Sequence, residues 1–397
     1  MTTPSHRGVA DWQLEPVLDW LVREGRLLGD LRLVVDQLCS RLCAAGAPLW
    51  RFYVGLQTLH PQLRAMGYVW VRNGVTQEIT RRHGIEFTSA FIGSPIQYVR
   101  ESGRLLRRRL EALTEDDHVV LHEVRAENGT DYLALPMRLS RGETPVATFA
   151  TDFADGFSDA DIAKFQRLID HLAPIAEAQL MYRISVTLME TYLGGHTGQR
   201  ILDGLIRRGD GETIRAVLWF ADMRNFTGLS ETLPAERMLA MLNEYFEVLD
   251  AALRPRGGEI LSFIGDGVLA IFPVADAMFL PQACSGAVDA ALDALARMQA
   301  VNDKRRTKNE PEIRFGAGLH VGSFTYGNIG TEDRLDFTVI GAAVNRCARL
   351  ESLSKTLGVP IVTSAEFNAN CPRKLRSLGF QKLRGVDATQ EVFTTTA

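Results

Sequence analysis

Cysteine is scarce and scattered in these 397 residues: Cys39, Cys43, Cys284, Cys347 and Cys371, with no CxxC pair. That pattern excludes a disulfide-stapled scaffold and a zinc knuckle. Basic charge is not in excess. Lys and Arg total 44 against 48 Asp and Glu, a formal net charge of −4, so no global cationic footprint for nucleic acid is present. No long apolar run occurs either. The greasiest stretch, Val268 to Leu280, is interrupted by Pro273 and Asp276 and falls short of a membrane span. The opening MTTPSHRGVADWQLEP lacks the apolar segment of a signal peptide. A Walker A loop and an HExxH are missing, and Gly316-Ala317-Gly318 lacks the third glycine of a dinucleotide fingerprint. What is present is ordinary for a globular chain: 46% hydrophobic and 23% charged residues. The length is that of two or three domains. The expectation is a reduced, cytoplasmic protein.

The chain divides near residue 195. Helical spacing runs through residues 15–45, carried by Leu18, Leu21, Leu27, Leu28, Leu31, Val34, Val35, Leu38 and Leu42. Strand-like runs follow: Trp50 to Leu56, Gly67 to Arg72, Val119 to Val124, Asp131 to Leu139 and Pro145 to Thr151. Asn73-Gly74 and Asn128-Gly129 supply turns. The chain then enters a long helix, with Ser158 as N-cap and Asp159 and Asp161 in its first turn. Helix, antiparallel strands and exit helix over 25–180 resemble a GAF-like sensory domain, which implies an α/β sensor for an unidentified small-molecule or protein signal.

In the exit helix Phe165, Leu168, Leu172, Ile175, Gln179, Tyr182, Val186, Met189 and Leu193 alternate spacings of three and four. Two readings fit: a dimeric signalling helix, which is the expectation, or an amphipathic helix packed on its own domain. Pro174 argues against an uninterrupted coil. Residues 181–212 read as a helical linker, and 1–24 as an N-terminal extension.

From Arg215 the pattern sharpens. Strand AVLWFAD ends on Asp222 and is followed by a helix from about Pro234. Strands Glu259–Phe263 and Val268–Phe272 are joined through Gly265-Asp266-Gly267, an Asp-Gly hairpin signal. A helix over 282–302, strands at Ile313–Val321 and Leu335–Ile340, and a helix from Ala342 to Leu353 complete a ferredoxin-like βαββαβ order. That order implies an antiparallel sheet with its helices on one face. Asp222 ends one strand and Asp266 tips the neighbouring hairpin. Two such carboxylates suit Mg²⁺, which takes one or two protein carboxylates plus substrate phosphates. The spacing fits a plain turn residue and a helix cap equally well.

FADMRNFT (220–227), GGEILSFIGDGVLAIF (257–272), GAGLHVGSFTYGNIG (316–330) and DFTVIGAAVNRCARLE (336–351) resemble, in order, the signature blocks of class III adenylate and guanylate cyclases. The resemblance spans about residues 213–394, within a catalytic domain read as 213–397. It implies an α+β cyclase palm that converts ATP into 3′,5′-cyclic AMP and pyrophosphate with two Mg²⁺ or Mn²⁺ ions per site. It makes Asp222 and Asp266 the metal ligands. Backbone around Asn225, Phe226 and Thr227 would cradle the triphosphate, Asn345 would orient the ribose, and Arg349 would stabilise charge on phosphorus. Arg384 is either a triphosphate contact or a solvated strand-end arginine.

The same resemblance implies a homodimer, with the aspartates of one chain completed by Asn345 and Arg349 of the other. One departure stands out. ATP-using members commonly carry lysine where this chain has Ser262, the base-reading partner of Thr338. A serine hydroxyl donates or accepts, so GTP remains the rival substrate and a nucleotide-binding scaffold the rival function. His320 reads as structural, and Arg104, Arg107, Arg108 and Arg109 as a solvated face balanced by Glu115, Asp116 and Asp117.

Overall fold

In the computed structural model residues 12–140, 142, 144–383 and 388–396 are described, and the chain divides into two units, Met1–Leu188 and Met189–Ala397. The first starts with two helices, α1 (Glu15–Arg23) and α2 (Leu31–Ala44), where the spacing suggested one. The break runs from Glu24 to Asp30 through a 3-10 turn at Gly25–Leu27. The Asp30 carboxylate accepts from Arg32 N and caps α2.

Strands β1 (Arg51–Gln57), β2 (Leu63–Val71) and β3 (Gln77–Arg82) follow, then α3 (Pro95–Ser102), β4 (Leu106–Arg109), α4 (Val119–Ala126), β5 (Asp131–Pro136), β6 (Val146–Thr151) and α5 (Asp159–Leu193). The six strands form an antiparallel sheet in the order β3-β2-β1-β6-β5-β4. Asn73 and Asn128 both take positive φ, as turn residues that tolerate the left-handed region do.

Three expectations for this unit need correction. Val119–Val124 is helix, not strand: Leu121 and Val124, three apart, are buried together, and His118 caps the helix through Nδ1. The exit-helix seam is used locally in its first half. Phe165, Leu168, Leu172 and Ile175 are buried in the unit's own core with Phe52, Val54 and Phe149, and Gln179 donates to Leu28 O at 2.8 Å. Helix α5 runs unbroken past Pro174, whose missing N–H costs one backbone bond of a long, well-packed helix. The arginine run is not merely solvated. Arg107 grips the buried Asp131 through Nε (3.0 Å) and Nη2 (2.8 Å), and among the described residues only Arg108 meets one of the expected acids, Asp117.

The second unit contains α6 (Gly195–Leu202), β7 (Gly211–Met223), α7 (Phe226–Thr232), α8 (Ala235–Leu253), β8 (Glu259–Ile264), β9 (Gly267–Pro273), α9 (Leu280–Thr307) and β10 (Phe315–Gly330). It ends with β11 (Leu335–Ile340), α10 (Ala342–Leu357), β12 (Ile361–Ser364), α11 (Ala365–Asn370), β13 (Leu375–Gln381) and β14 (Gln390–Thr395). The sheet order is β13-β14-β12-β10-β7-β9-β8, with β11 paired to β10. Its centre, β10-β7-β9-β8, is the antiparallel ferredoxin-like arrangement.

The run AVLWFA is buried on both faces, which is why it does not alternate. Val217, Trp219 and Ala221 pack with α8 and α9, while Ala216 and Leu218 pack with Ala343 and Cys347 of α10. The helices therefore cover both faces, not one. Among the described residues no helix is long and apolar enough to cross a membrane, and all five cysteines are free.

Candidate active site

Asp222 lies at the end of β7, on the face that carries α10, opposite Gly316 of β10. Because β9 is the other neighbour of β7 and pairs Ala221 with Val268, the β8–β9 turn arrives beside Asp222. Gly267 keeps that approach uncrowded. A Cβ on it would sit 3.1 Å from Ile264 O and 3.5 Å from Asp222 Oδ1. Gly265, at φ 64°, lets the turn close so tightly, and Asp266 follows it.

The two carboxylates meet within hydrogen-bonding reach, with Asp222 half-buried. Burial first, then the charge and hydrogen bond of Asp266, push Asp222 from its usual 3.8 up to about 6, against the opposing pull of Arg224. Like charges held this close ask for a cation or a shared proton. The all-oxygen pair fits a hard divalent ion that completes its shell with substrate oxygens. Among the described residues no group of three His, Cys, Asp or Glu side chains encloses a metal alone. On the other face of the sheet the Tyr245 hydroxyl of α8 is buried with no hydrogen-bond partner among the described residues; burial first, then the charges of Asp222 and Asp266, push its pKa up.

Two residues beyond Asp222, Arg224 crosses under β10 to α10. Its Nη1 bonds Glu351 Oε1 at 2.7 Å and its Nη2 bonds Ser354 Oγ. Any side chain at Gly316 would collide with that guanidinium. Glu351 is 3% exposed, and burial raises its carboxyl to about 7; Arg224 holds it down while Asp222 pushes it up. Residue typing missed this pair. A signal existed: Cys347, Glu351 and Ser354 share a helix face with buried Leu350, so the glutamate had to find a partner inside.

Asn225 adopts a left-handed conformation (φ 61°) and starts the seven-residue α7, so the Phe226 and Thr227 backbone opens that helix. Asn345 is exposed and Arg349 half-buried one turn along α10. Neither side chain has a hydrogen-bond or ion-pair partner among the described residues. Cys347 between them faces inward, its thiol donating to Gly318 O at 3.1 Å.

The fold thus unites Asp222 with Asp266, and Asn345 with Arg349, but no hydrogen bond or ion pair among the described residues joins the two pairs. Ser262 is half-buried on β8 opposite Leu269, and Thr338 half-buried on β11 opposite Gly327; no bond links them. Arg384 lies outside the described residues. His320 is 3% exposed, bonds Ser364 Oγ at 2.8 Å, and is held neutral by burial, with its pKa lowered to about 4.

Residues 212–393 match the family model described as the adenylate and guanylate cyclase catalytic domain. Adenylate cyclase 1 of Rhizobium meliloti is 34% identical over 178 residues, which are 44% of this chain and 26% of that protein. An adenylate cyclase of Anabaena cylindrica is 31% identical over 205 residues, 48% of this chain and 39% of that one. The chain therefore spans between a quarter and two fifths of the length of these curated relatives. The solved adenylyl cyclase CyaB from P. aeruginosa is 26% identical, with a TM-score of 0.44, covering 47% of this chain and 96% of that one.

Proposed function

We propose that this chain, whose residues 212–393 form a class III adenylate and guanylate cyclase catalytic domain, converts ATP into 3′,5′-cyclic AMP and pyrophosphate. The observation that carries the reading is the apposition of Asp222 and Asp266 at the end of β7, a carboxylate pair whose repulsion a cation relieves. The 3′-oxygen of the ribose forms a bond to the α-phosphorus as the bond to the pyrophosphate oxygen breaks. The hydroxyl proton leaves to solvent, because no side chain of this chain stands out as a base. Two divalent ions, Mg²⁺ or Mn²⁺, held by Asp222 and Asp266, would supply Lewis acidity to the attacking hydroxyl and to the phosphates.

The remaining roles fall to the protein. Free N–H groups at Asn225, Phe226 and Thr227 receive triphosphate oxygens. Asn345 orients the ribose. Arg349 donates to the phosphoryl oxygens as charge builds there, a preorganised cation that water does not have to reorient. Arg384 reaches the triphosphate, and Ser262 with Thr338 reads the base edge. No hydrogen bond or ion pair among the described residues joins Asn345 or Arg349 to the aspartates of their own chain, which fits a homodimer with two composite sites. Residues 25–180 act as a GAF-like sensor, 181–212 as the linker and 213–397 as the catalytic domain. The free thiols fit a reducing cytoplasm.

The relatives named adenylate cyclases favour ATP. Ser262 keeps a GTP reading open, because a hydroxyl serves adenine N1 or guanine O6. The test is product formation from ATP or GTP with Mg²⁺ or Mn²⁺, beside Asp222→Ala. Cyclic AMP that vanishes in the variant is the expected result. Cyclic GMP alone moves the substrate to GTP, and no product from either nucleotide overturns the enzyme reading.

A further inference from the structure

The sheet of the first unit treats its two faces differently. Phe52, Val54 and Leu56 of β1 point into an apolar core with α2 and α5. The alternate residues, Arg51 and Tyr53, point the other way, toward α3 and α4, where a cavity of about 180 Å³ remains. Tyr53 lies flat along the sheet because Gly55 and Gly67 face each other in register beneath it; a side chain on either would run into the ring. Phe91 and the aliphatic side chains of Val69, Ile79 and Ile96 complete apolar walls around this ring.

The polar groups of the cavity are one-sided. Arg51, Arg64, Arg81 and Arg100 line it against a single acid, Glu86. Glu86 is only loosely held by Arg64, 4.0 Å away, and Arg64 Nε is buried with no hydrogen bond. Arg51 and Arg81 meet no carboxylate among the described residues, and the Arg100 guanidinium stands 5.1 Å over the Phe91 ring. Two neutral groups are already bonded: Tyr132 to Thr148, and Ser94 Oγ to Gln97 N as the cap of α3. The Tyr53 hydroxyl and the guanidiniums of Arg51 and Arg81 remain, and a guanidinium donates and never accepts. Burial raises the Tyr53 hydroxyl, while the charges of Arg81, Arg100 and Arg51 pull against it.

We infer that this cavity binds a small aryl anion, a single aromatic ring bearing one carboxylate or phosphate. Size supports one ring: an apolar cavity of about 150 Å³ accommodates benzene, so about 180 Å³ takes a ring with little to spare. The ring lies between Tyr53 and Phe91, in the offset or edge contacts aromatic pairs prefer. The anionic group turns toward Arg51 and Arg81, where charge-assisted bonds are strongest.

Calorimetric titration of the full chain tests this with benzoate, phenyl phosphate and the neutral isostere benzamide. Saturable binding of benzoate or phenyl phosphate is expected, with benzamide at least about tenfold weaker, the weight of one charge-assisted hydrogen bond. The two anions distinguish carboxylate from phosphate as the preferred head group. Arg51→Gln and Arg81→Gln sit on half-buried and exposed strand positions and should each weaken the preferred anion about tenfold while circular dichroism stays unchanged. Equal binding of benzamide, no saturation by either anion, or no effect of both variants in folded protein would overturn the inference.

Discussion

Replacing Asp266 by Asn should make the protein more stable and catalytically dead, and the gain in stability should depend on pH. Asn is nearly isosteric, suits the Gly265-Xaa-Gly267 turn, and removes the charge that Asp222 faces. The sign follows from linkage. The folded-state pKa of Asp222 lies near 6, above its ordinary 3.8. Between those values the native state holds a proton that the unfolded chain has released. Stability therefore falls as pH rises through that window, and the penalty is complete above about pH 6.

The interval corresponds to roughly 3 kcal/mol. The carboxyl is half-buried and part of the shift is desolvation that Asp266→Asn does not remove, so about 1–2 kcal/mol is the recoverable share. For a unit of this size that is a rise in Tm of about 2–6 °C. Differential scanning calorimetry at pH 7.5 and pH 4.5 reads it: the gap should open at the higher pH and close at the lower. Millimolar Mg²⁺ should raise the wild-type transition at pH 7.5 and leave the variant nearly unmoved, because ligand binding to the native state stabilises by mass action. A gap of the same size at both pH values, or a wild type that is the more stable at pH 7.5, would refute the reasoning.

Arg224→Met should cost about 3–5 kcal/mol in urea unfolding, because it leaves Glu351 buried and unpaired, whereas adding Glu351→Leu should recover most of that loss. Mixing Asp222→Ala with Arg349→Ala, each inactive alone, should restore about a quarter of wild-type activity: half the dimers are mixed and each holds one intact site. Ser262→Lys should raise the ATP-to-GTP rate ratio, and unchanged rates with both nucleotides would remove Ser262 from base reading. His320 has a folded pKa near 4, below the unfolded 6.5, so its contribution is full above pH 6.5 and is lost as pH falls toward 4. His320→Asn, which keeps a bond to Ser364, should flatten that decline of about 1.4 kcal/mol per pH unit, read from urea midpoints.

Much of the second unit was legible because its strands are bounded by turn chemistry and its helices by spacing. Leu335–Ile340 was read to the residue, and Asp222 and Asp266 were legible as acids at element ends. Their meeting was not in the spacing; it follows from the β10-β7-β9-β8 order, which places the hairpin tip beside β7. In the first unit β3, with the polar sequence QEITRR and an exposed pattern, carries no alternation to detect. The run VVLHEV is rich in branched residues, yet Leu121 and Val124 are buried at helical spacing. β-Propensity reports what fits a half-buried sheet, and here the covering surface was a helix's own neighbourhood.

The seam of α5 shows why periodicity stops short of function. Spacings of three and four say that Phe165, Leu168, Leu172 and Ile175 share a face; they do not say whether a partner or the unit's own sheet covers it, and here the sheet does. The converse holds for Arg224 and Glu351. Each was visible as a charge, but each is satisfied by the other across 127 positions, so neither leaves a local mark. Residues that await a ligand can be found by their type and position. Residues that hold one another are found only once the chain has been folded, and in this site the second kind ties the strand bearing Asp222 to the helix bearing Asn345 and Arg349.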